Sequence, residues 1–132
     1  MLELTLHKPA TTALQAPIDY ICSMPSKGVR STLIDAFNYW LKADETVLAS
    51  VKELISFLHN ASLILDDIED GSPKRRGQPA THILFGHAQA INSANYMFVQ
   101  ATRRFRNPQA VEILLEELEN LSGAELESAV EI

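Results

Sequence analysis

Cysteine is almost absent: Cys22 stands alone among 132 residues, so no disulfide can form within the chain. Basic charge is short as well. Eleven Lys and Arg face 17 Asp and Glu, for a net charge of −6, which argues against a general nucleic-acid binder because neutralising phosphates needs a broad basic face. The dense basic clusters are Lys74-Arg75-Arg76 and Arg103-Arg104-Arg106, enough for a local anion site. No apolar run of about 18 residues and no secretory start are legible, so the expectation is a cytoplasmic chain without a transmembrane segment. What is present is 46% hydrophobic and 21% charged, the balance of a globular domain, or of a piece of one, that packs a core.

Met1 to Pro17 alternates weakly at Leu2, Leu4 and Leu6 and then meets Pro9 and Pro17, which reads as an extended arm over 1–16. From Val29 to Ala43, Val29, Leu33, Ile34, Phe37, Trp40 and Leu41 recur at three- and four-residue steps, the spacing of a helix. Asp44 is placed to cap a second, longer helix whose stripe is Val47, Leu48, Val51, Leu54, Ile55, Leu58, Ser62 and Leu65, ending near Asp70. Gly71, Pro73, Gly77 and Pro79 then mark a loop. Thr81 is a candidate cap for one helix running to about Phe105, with Ile83, Leu84, Ala88, Ile91, Ala94, Tyr96, Met97 and Val99 on its apolar face. Pro108 suits the first turn of a last helix carrying Val111, Leu114, Leu115, Leu118 and Leu121. No hairpin signal or internal repeat is legible, and the expected fold class is all-α.

The chemistry concentrates where the long helix ends. At about 100° per residue, Asp66, Asp70 and Asp67 fall at roughly 0°, 40° and 100°, so three carboxylates would share one face. Like charges so spaced destabilise a helix, and a hard divalent cation would relieve them. Mg²⁺ binds through one or two carboxylates plus phosphate oxygens. His59, seven residues before Asp66, returns to the same face, and Lys74, Arg75 and Arg76 follow the helix end with donors suited to phosphate. Carboxylates and cations this close point to a metal-bridged diphosphate.

Four segments, Ser26-Lys27-Gly28-Val29-Arg30, Leu58-His59-Asn60-Ala61-Ser62-Leu63-Ile64-Leu65-Asp66-Asp67-Ile68-Glu69-Asp70, Ser72-Pro73-Lys74-Arg75-Arg76-Gly77-Gln78-Pro79 and Ile91-Asn92-Ser93-Ala94-Asn95-Tyr96, resemble the short-chain trans-prenyl diphosphate synthases, most of all the fungal-type geranylgeranyl diphosphate synthases. The resemblance runs over 17–121 and leaves 122–132 as a divergent tail. It implies a partial isoprenoid-synthase-type helical bundle that condenses isopentenyl diphosphate head-to-tail with an allylic diphosphate. By the same resemblance Asp66, Asp67 and Asp70 form the first aspartate-rich motif and bind Mg²⁺ on the allylic diphosphate, Arg75 contacts that diphosphate, and Lys27, Arg30, His59 and Arg76 hold isopentenyl diphosphate. In the family the positions four and five before the first aspartate limit product length. Ser62 and Ala61 stand there, small residues that imply a product longer than farnesyl.

Such enzymes continue into a second aspartate-rich motif that this sequence lacks, so the resemblance covers only their N-terminal part and implies no normal turnover from the chain alone. Full-length relatives are typically dimers, which points to a homodimer or to a heteromer with a prenyl synthase. The alternative reading is a catalytically incomplete partner that pairs with such an enzyme. A class I terpene cyclase shares an aspartate-rich motif, but the Arg-Arg-Gly segment and the lack of a second cyclase metal triad rank it lower.

Overall fold

The computed structural model describes residues 8–105 and 107–130. Among them six helices follow one another: α1 Lys8–Ser23, α2 Val29–Leu41, α3 Glu45–Glu69, α4 Thr81–Phe85, α5 His87–Arg104 and α6 Pro108–Val130. The strands β1 Lys74–Arg75 and β2 Gln78–Pro79 lie between α3 and α4. The all-α expectation holds. Two compact units divide the chain, Met1–Phe98 and Val99–Ile132, and everything that follows about the core and the site concerns the first.

The arm expected over 1–16 is helical from Lys8 onward, while 1–7 lie outside the described residues. Pro9 falls in the first turn, where a missing N–H costs nothing. Pro17 sits inside α1 and cannot donate to the Ala13 carbonyl. Gln89 of α5 donates to that carbonyl instead, at 2.7 Å, and Ser93 Oγ donates to the Leu14 carbonyl at 2.9 Å. A helix that two prolines disguise in the sequence is thus completed from a neighbouring element.

Asp44 caps α3 as expected, its carboxylate accepting the Thr46 N–H at 2.7 Å. At the far end Ser72 N–H reaches the Asp67 carbonyl and Gly71 N–H the Ile68 carbonyl, the paired closure that a left-handed glycine permits, with Gly71 at φ 64°. The buried side chains of α3 are Leu54, Asn60, Ala61, Ile64 and Asp67; of the expected stripe Leu54 is buried and Leu65 packs against the core, while Leu58 and Ser62 are only half-buried. The run Ala61 to Leu65 is apolar at nearly every position, so its period cannot select a face; contact with α1 does. The core joins Ile18, Ile21 and Met24 of α1 and its end to Ala61 and Ile64 of α3 and to Ala90, Ala94 and Met97 of α5, with Phe57, Tyr96 and Phe98 packed against it. On α5 the small residues are therefore the packed ones, and Ile91 and Val99 are exposed.

The helix expected from Thr81 to Phe105 is two. Gly86 interrupts it, donating to the His82 carbonyl and accepting from Ala90 N–H, and Ala80 rather than Thr81 is the cap residue of α4. The loop expected after α3 contains an unforeseen antiparallel hairpin, Lys74 opposite Pro79 and Arg75 opposite Gln78. Its turn residues Arg76 and Gly77 have φ of 52° and 78°, the positive pair that two-residue hairpins favour. Residues 122–130, read as a divergent tail, continue α6 to Val130.

α3 is long and apolar enough to cross a membrane by length and composition alone, although Lys52, Glu53 and His59 interrupt its apolar residues. Core helices meet the same criterion, and α3 packs against α1, α2 and α4, tied to α2 by a Lys52–Asp35 ion pair. α2 buries none of its residues, leaving Val29, Leu33, Phe37, Tyr39, Trp40 and Leu41 exposed.

Candidate active site

The end of α1, the start of α2, the middle of α3 and the hairpin turn enclose a cavity of about 560 Å³. Its lining includes Lys27, Arg30, His59, Arg75 and Arg76, together with Pro25, Ser26, Gly28, Val29 and Leu63. All five residues expected to hold substrate therefore converge on one space from three separate segments.

Gly28 at the start of α2, with φ 69°, turns the chain so that Lys27 and Arg30 flank the same mouth. Arg76 enters from the hairpin and donates to the Met24 carbonyl at 3.4 Å. Among the described residues no acidic group pairs with Lys27, Arg30 or Arg76. Burial and the nearby Arg76 charge push the Arg30 guanidinium below its ordinary pKa. His59 feels the same field: burial, then Arg30, Arg76 and Arg75, push its imidazole down to about 4 against a weaker upward pull from Asp66. It is neutral near pH 7 and offers a hydrogen-bond donor without adding charge.

Arg75 joins this cationic wall to the aspartates. Its Nε lies 3.0 and 3.1 Å from the two Asp67 carboxylate oxygens, and its Nη2 lies 2.5 Å from Asp67 Oδ1 and 2.9 Å from Asp66 Oδ2. Hydrogen bonding to Asp67 raises the Arg75 pKa above its ordinary value. The Asp67 side chain is fully buried, whereas Asp66 is 38% exposed.

The single face of three carboxylates expected from helical geometry is therefore not formed. Asp67 continues the buried stripe of Asn60 and Ile64 and is occupied by Arg75. That phase was present in the sequence, but an aspartate does not announce itself as an inward residue. Asp66 and Asp70 stay one turn apart, joined by the hydrogen bond from Asp70 N–H to the Asp66 carbonyl, and Asp70 is exposed. Among the described residues no three His, Cys, Asp or Glu side chains converge. The donor set fits Mg²⁺ in its usual bridging form, one or two carboxylates with the remaining positions left to water and phosphate oxygens.

Ala61 lies in the core, and the half-buried Ser62 returns its hydroxyl to the His59 carbonyl at 2.8 Å. His82 is buried and His87 exposed, with rings 5.1 Å apart, away from this cavity. Arg103 and Arg104 occupy the last turn of α5, where they complement its dipole.

The polyprenyl synthetase family model matches residues 11–128. The chain belongs to the polyprenyl synthetase family. The match is wider at both ends than 17–121 and takes in most of α1 and α6. Sesterfisherol synthase of Neosartorya fischeri is 73% identical over 123 residues, covering 91% of this chain and 16% of that protein. A sesterterpene synthase of Colletotrichum orbiculare is 56% identical over 121 residues, covering 87% of the chain and 17% of its own length. A bifunctional terpene synthase of Fusarium proliferatum is 52% identical over 118 residues, covering 87% and 16%. The chain spans about a sixth of the length of the curated relatives it matches. The helices and cavity described above are accordingly part of an isoprenoid-synthase-type fold.

Proposed function

We propose that this chain forms the diphosphate-binding wall of a prenyl-elongation site, in which isopentenyl diphosphate adds head-to-tail to an allylic diphosphate. The observation that carries this reading is the convergence of Lys27, Arg30, His59, Arg75 and Arg76 on one cavity whose Arg75 is also bonded to the aspartates.

Lys27, Arg30 and Arg76 hold the isopentenyl diphosphate, with neutral His59 donating a hydrogen bond. The apolar side chains of Val29 and Leu63 add to the wall beside it. Asp66 and Asp70 would hold Mg²⁺ on the allylic diphosphate, and a bound ion would supply charge neutralisation for the pyrophosphate leaving group. Arg75 adds a donor to that leaving group, so the charge that grows as the allylic carbon–oxygen bond breaks meets preplaced cations. The product is of geranylgeranyl length or longer, in keeping with small residues at Ala61 and Ser62 and with a relative named as a sesterterpene synthase. The exposed apolar face of α2 fits burial against another polypeptide, in a homodimer or a heteromer.

Calorimetry with inorganic pyrophosphate tests the site directly. Binding is expected in saturating Mg²⁺ and is expected to disappear in Asp66→Ala/Asp70→Ala and in Lys27→Ala/Arg30→Ala. An unmodified, folded chain that takes up no pyrophosphate at saturating Mg²⁺ overturns the reading.

A further inference from the structure

Arg75 makes contacts of two kinds. Three hydrogen bonds tie Nε and Nη2 to the fully buried Asp67, and one ties Nη2 to the partly exposed Asp66. The first set is an anchor, because separating a buried carboxylate from the cation bonded to it leaves a charge in the interior. The second is replaceable, because Asp66 is reached by solvent and gives up a single bond. Nη1 has no partner among the described residues, and Arg75 lines the cavity.

We propose that Arg75 is a resident counter-cation that occupies Asp66 until a divalent ion takes its place, and that this exchange couples ion binding to diphosphate binding. The proposal rests on the reading of the site given above and adds a competition to it. Without metal, the guanidinium satisfies Asp66 and relieves the repulsion between adjacent carboxylates. A divalent ion entering at Asp66 Oδ2 displaces Nη2, and one entering at Oδ1 meets the positive charge of the guanidinium beside it, so the ion alone binds against a competitor. Asp67 keeps the displaced guanidinium within reach, and a diphosphate bridging to the ion receives the freed donor. Each ligand thereby removes a cost that the other would meet alone, which is positive coupling and must be reciprocal.

A test needs no turnover and no organic substrate. Mg²⁺ is titrated calorimetrically into the unmodified 132-residue chain and into Arg75→Gln, first alone and then with inorganic pyrophosphate present. Removing a positive charge from a cation site is expected to tighten Mg²⁺ binding in the absence of pyrophosphate by about tenfold, the worth of one hydrogen bond to a charged group. The same substitution is expected to weaken pyrophosphate at saturating Mg²⁺ and to shrink the coupling between the two ligands. Arg75→Gln alone strands the buried Asp67 charge, so the measurement is repeated in Arg75→Gln/Asp67→Asn, which leaves no charge inside and frees Asp66 equally; circular dichroism confirms helix content before titration. Mg²⁺ affinity unchanged or weakened in both variants, while the unmodified chain binds Mg²⁺ with pyrophosphate, overturns the exchange and leaves the diphosphate site standing. If the unmodified chain binds no Mg²⁺ under any condition, the site reading falls and the exchange falls with it.

Discussion

Replacing Arg76 by asparagine should make the protein more stable and a poorer diphosphate binder. Arg76 is held at φ 52°, in the left-handed region where an L side chain crowds its own backbone at a cost of about 1–2 kcal/mol. Asparagine tolerates that region and is a favoured first turn residue of two-residue hairpins, so about 0.5–1 kcal/mol of the strain should be recovered. The folded chain loses little in return. The bond from Arg76 to the Met24 carbonyl is long, at 3.4 Å, and the charge that pushes down the Arg30 pKa is removed. Binding should respond in the opposite sense, since losing one charge-assisted contact of about 1.5–3 kcal/mol lowers pyrophosphate affinity roughly ten- to a hundredfold. Urea midpoints and calorimetry read the two effects separately. Arg76→Lys is the control: it keeps the strained φ and the charge, so its midpoint should match the parent's. An asparagine variant that unfolds at lower urea than the parent, or that binds pyrophosphate as tightly, refutes the reasoning.

Two further outcomes follow from the geometry. Burial and the neighbouring arginines push the His59 imidazole from its ordinary 6.5 down to about 4, so below pH 6.5 the unfolded chain takes up a proton that the folded chain refuses; stability from this group is intact above pH 6.5 and is lost as pH falls toward 4. Urea midpoints between pH 4 and 7 should therefore decline less steeply in His59→Gln, and identical slopes would remove His59 as the cause. Gln89→Ala should cost about 0.5–1 kcal/mol because the Ala13 carbonyl loses its donor. The cost should shrink in a Pro17→Ala background, which restores a helical N–H; a double-mutant cycle with no coupling argues against that compensation.

The legible parts of this fold were those written in local signals. Asp44 before Glu45 and Pro108 after Asn107 marked the starts of α3 and α6 to the residue, because capping depends on a few neighbouring atoms. Lys27, Arg30, His59, Arg75 and Arg76 were found through their motifs, and one cavity holds them all. The misread parts depended on distant partners. α1 was hidden because its compensation for Pro17 comes from Gln89 and Ser93, more than 70 positions away. The faces of α3 and α5 were only partly legible for the same reason: Leu54 and Leu65 of α3 and Ala94, Tyr96 and Met97 of α5 are buried or packed on the core as expected, but bulky Ile91 and Val99 are exposed while Asn60, Ala90 and Ser93 are buried. Asp67 was counted with the exposed carboxylates because only Arg75, eight residues later across a turn, makes an inward aspartate tolerable.

The hairpin explains how two adjacent arginines serve different partners. Consecutive residues of an extended strand present opposite sides, and the turn at Arg76 rotates the chain again, so Arg75 returns to the end of α3 while Arg76 reaches the end of α1. Gly77 adopts the second positive φ without penalty, leaving Arg76 to carry the strain. That conformation persists only if its surroundings enforce it. Here the hairpin base is closed by Ala80 N–H on the Pro73 carbonyl, at 2.9 Å, and Tyr20 of α1 donates to the Pro79 carbonyl at 2.7 Å. The charge placement of the site is therefore fixed by α1 and by the last turn of α3. Tyr20→Phe, at a position that does not line the cavity, is expected to loosen the turn that aims Arg76 and so to weaken pyrophosphate binding measured by calorimetry; unchanged affinity would refute this.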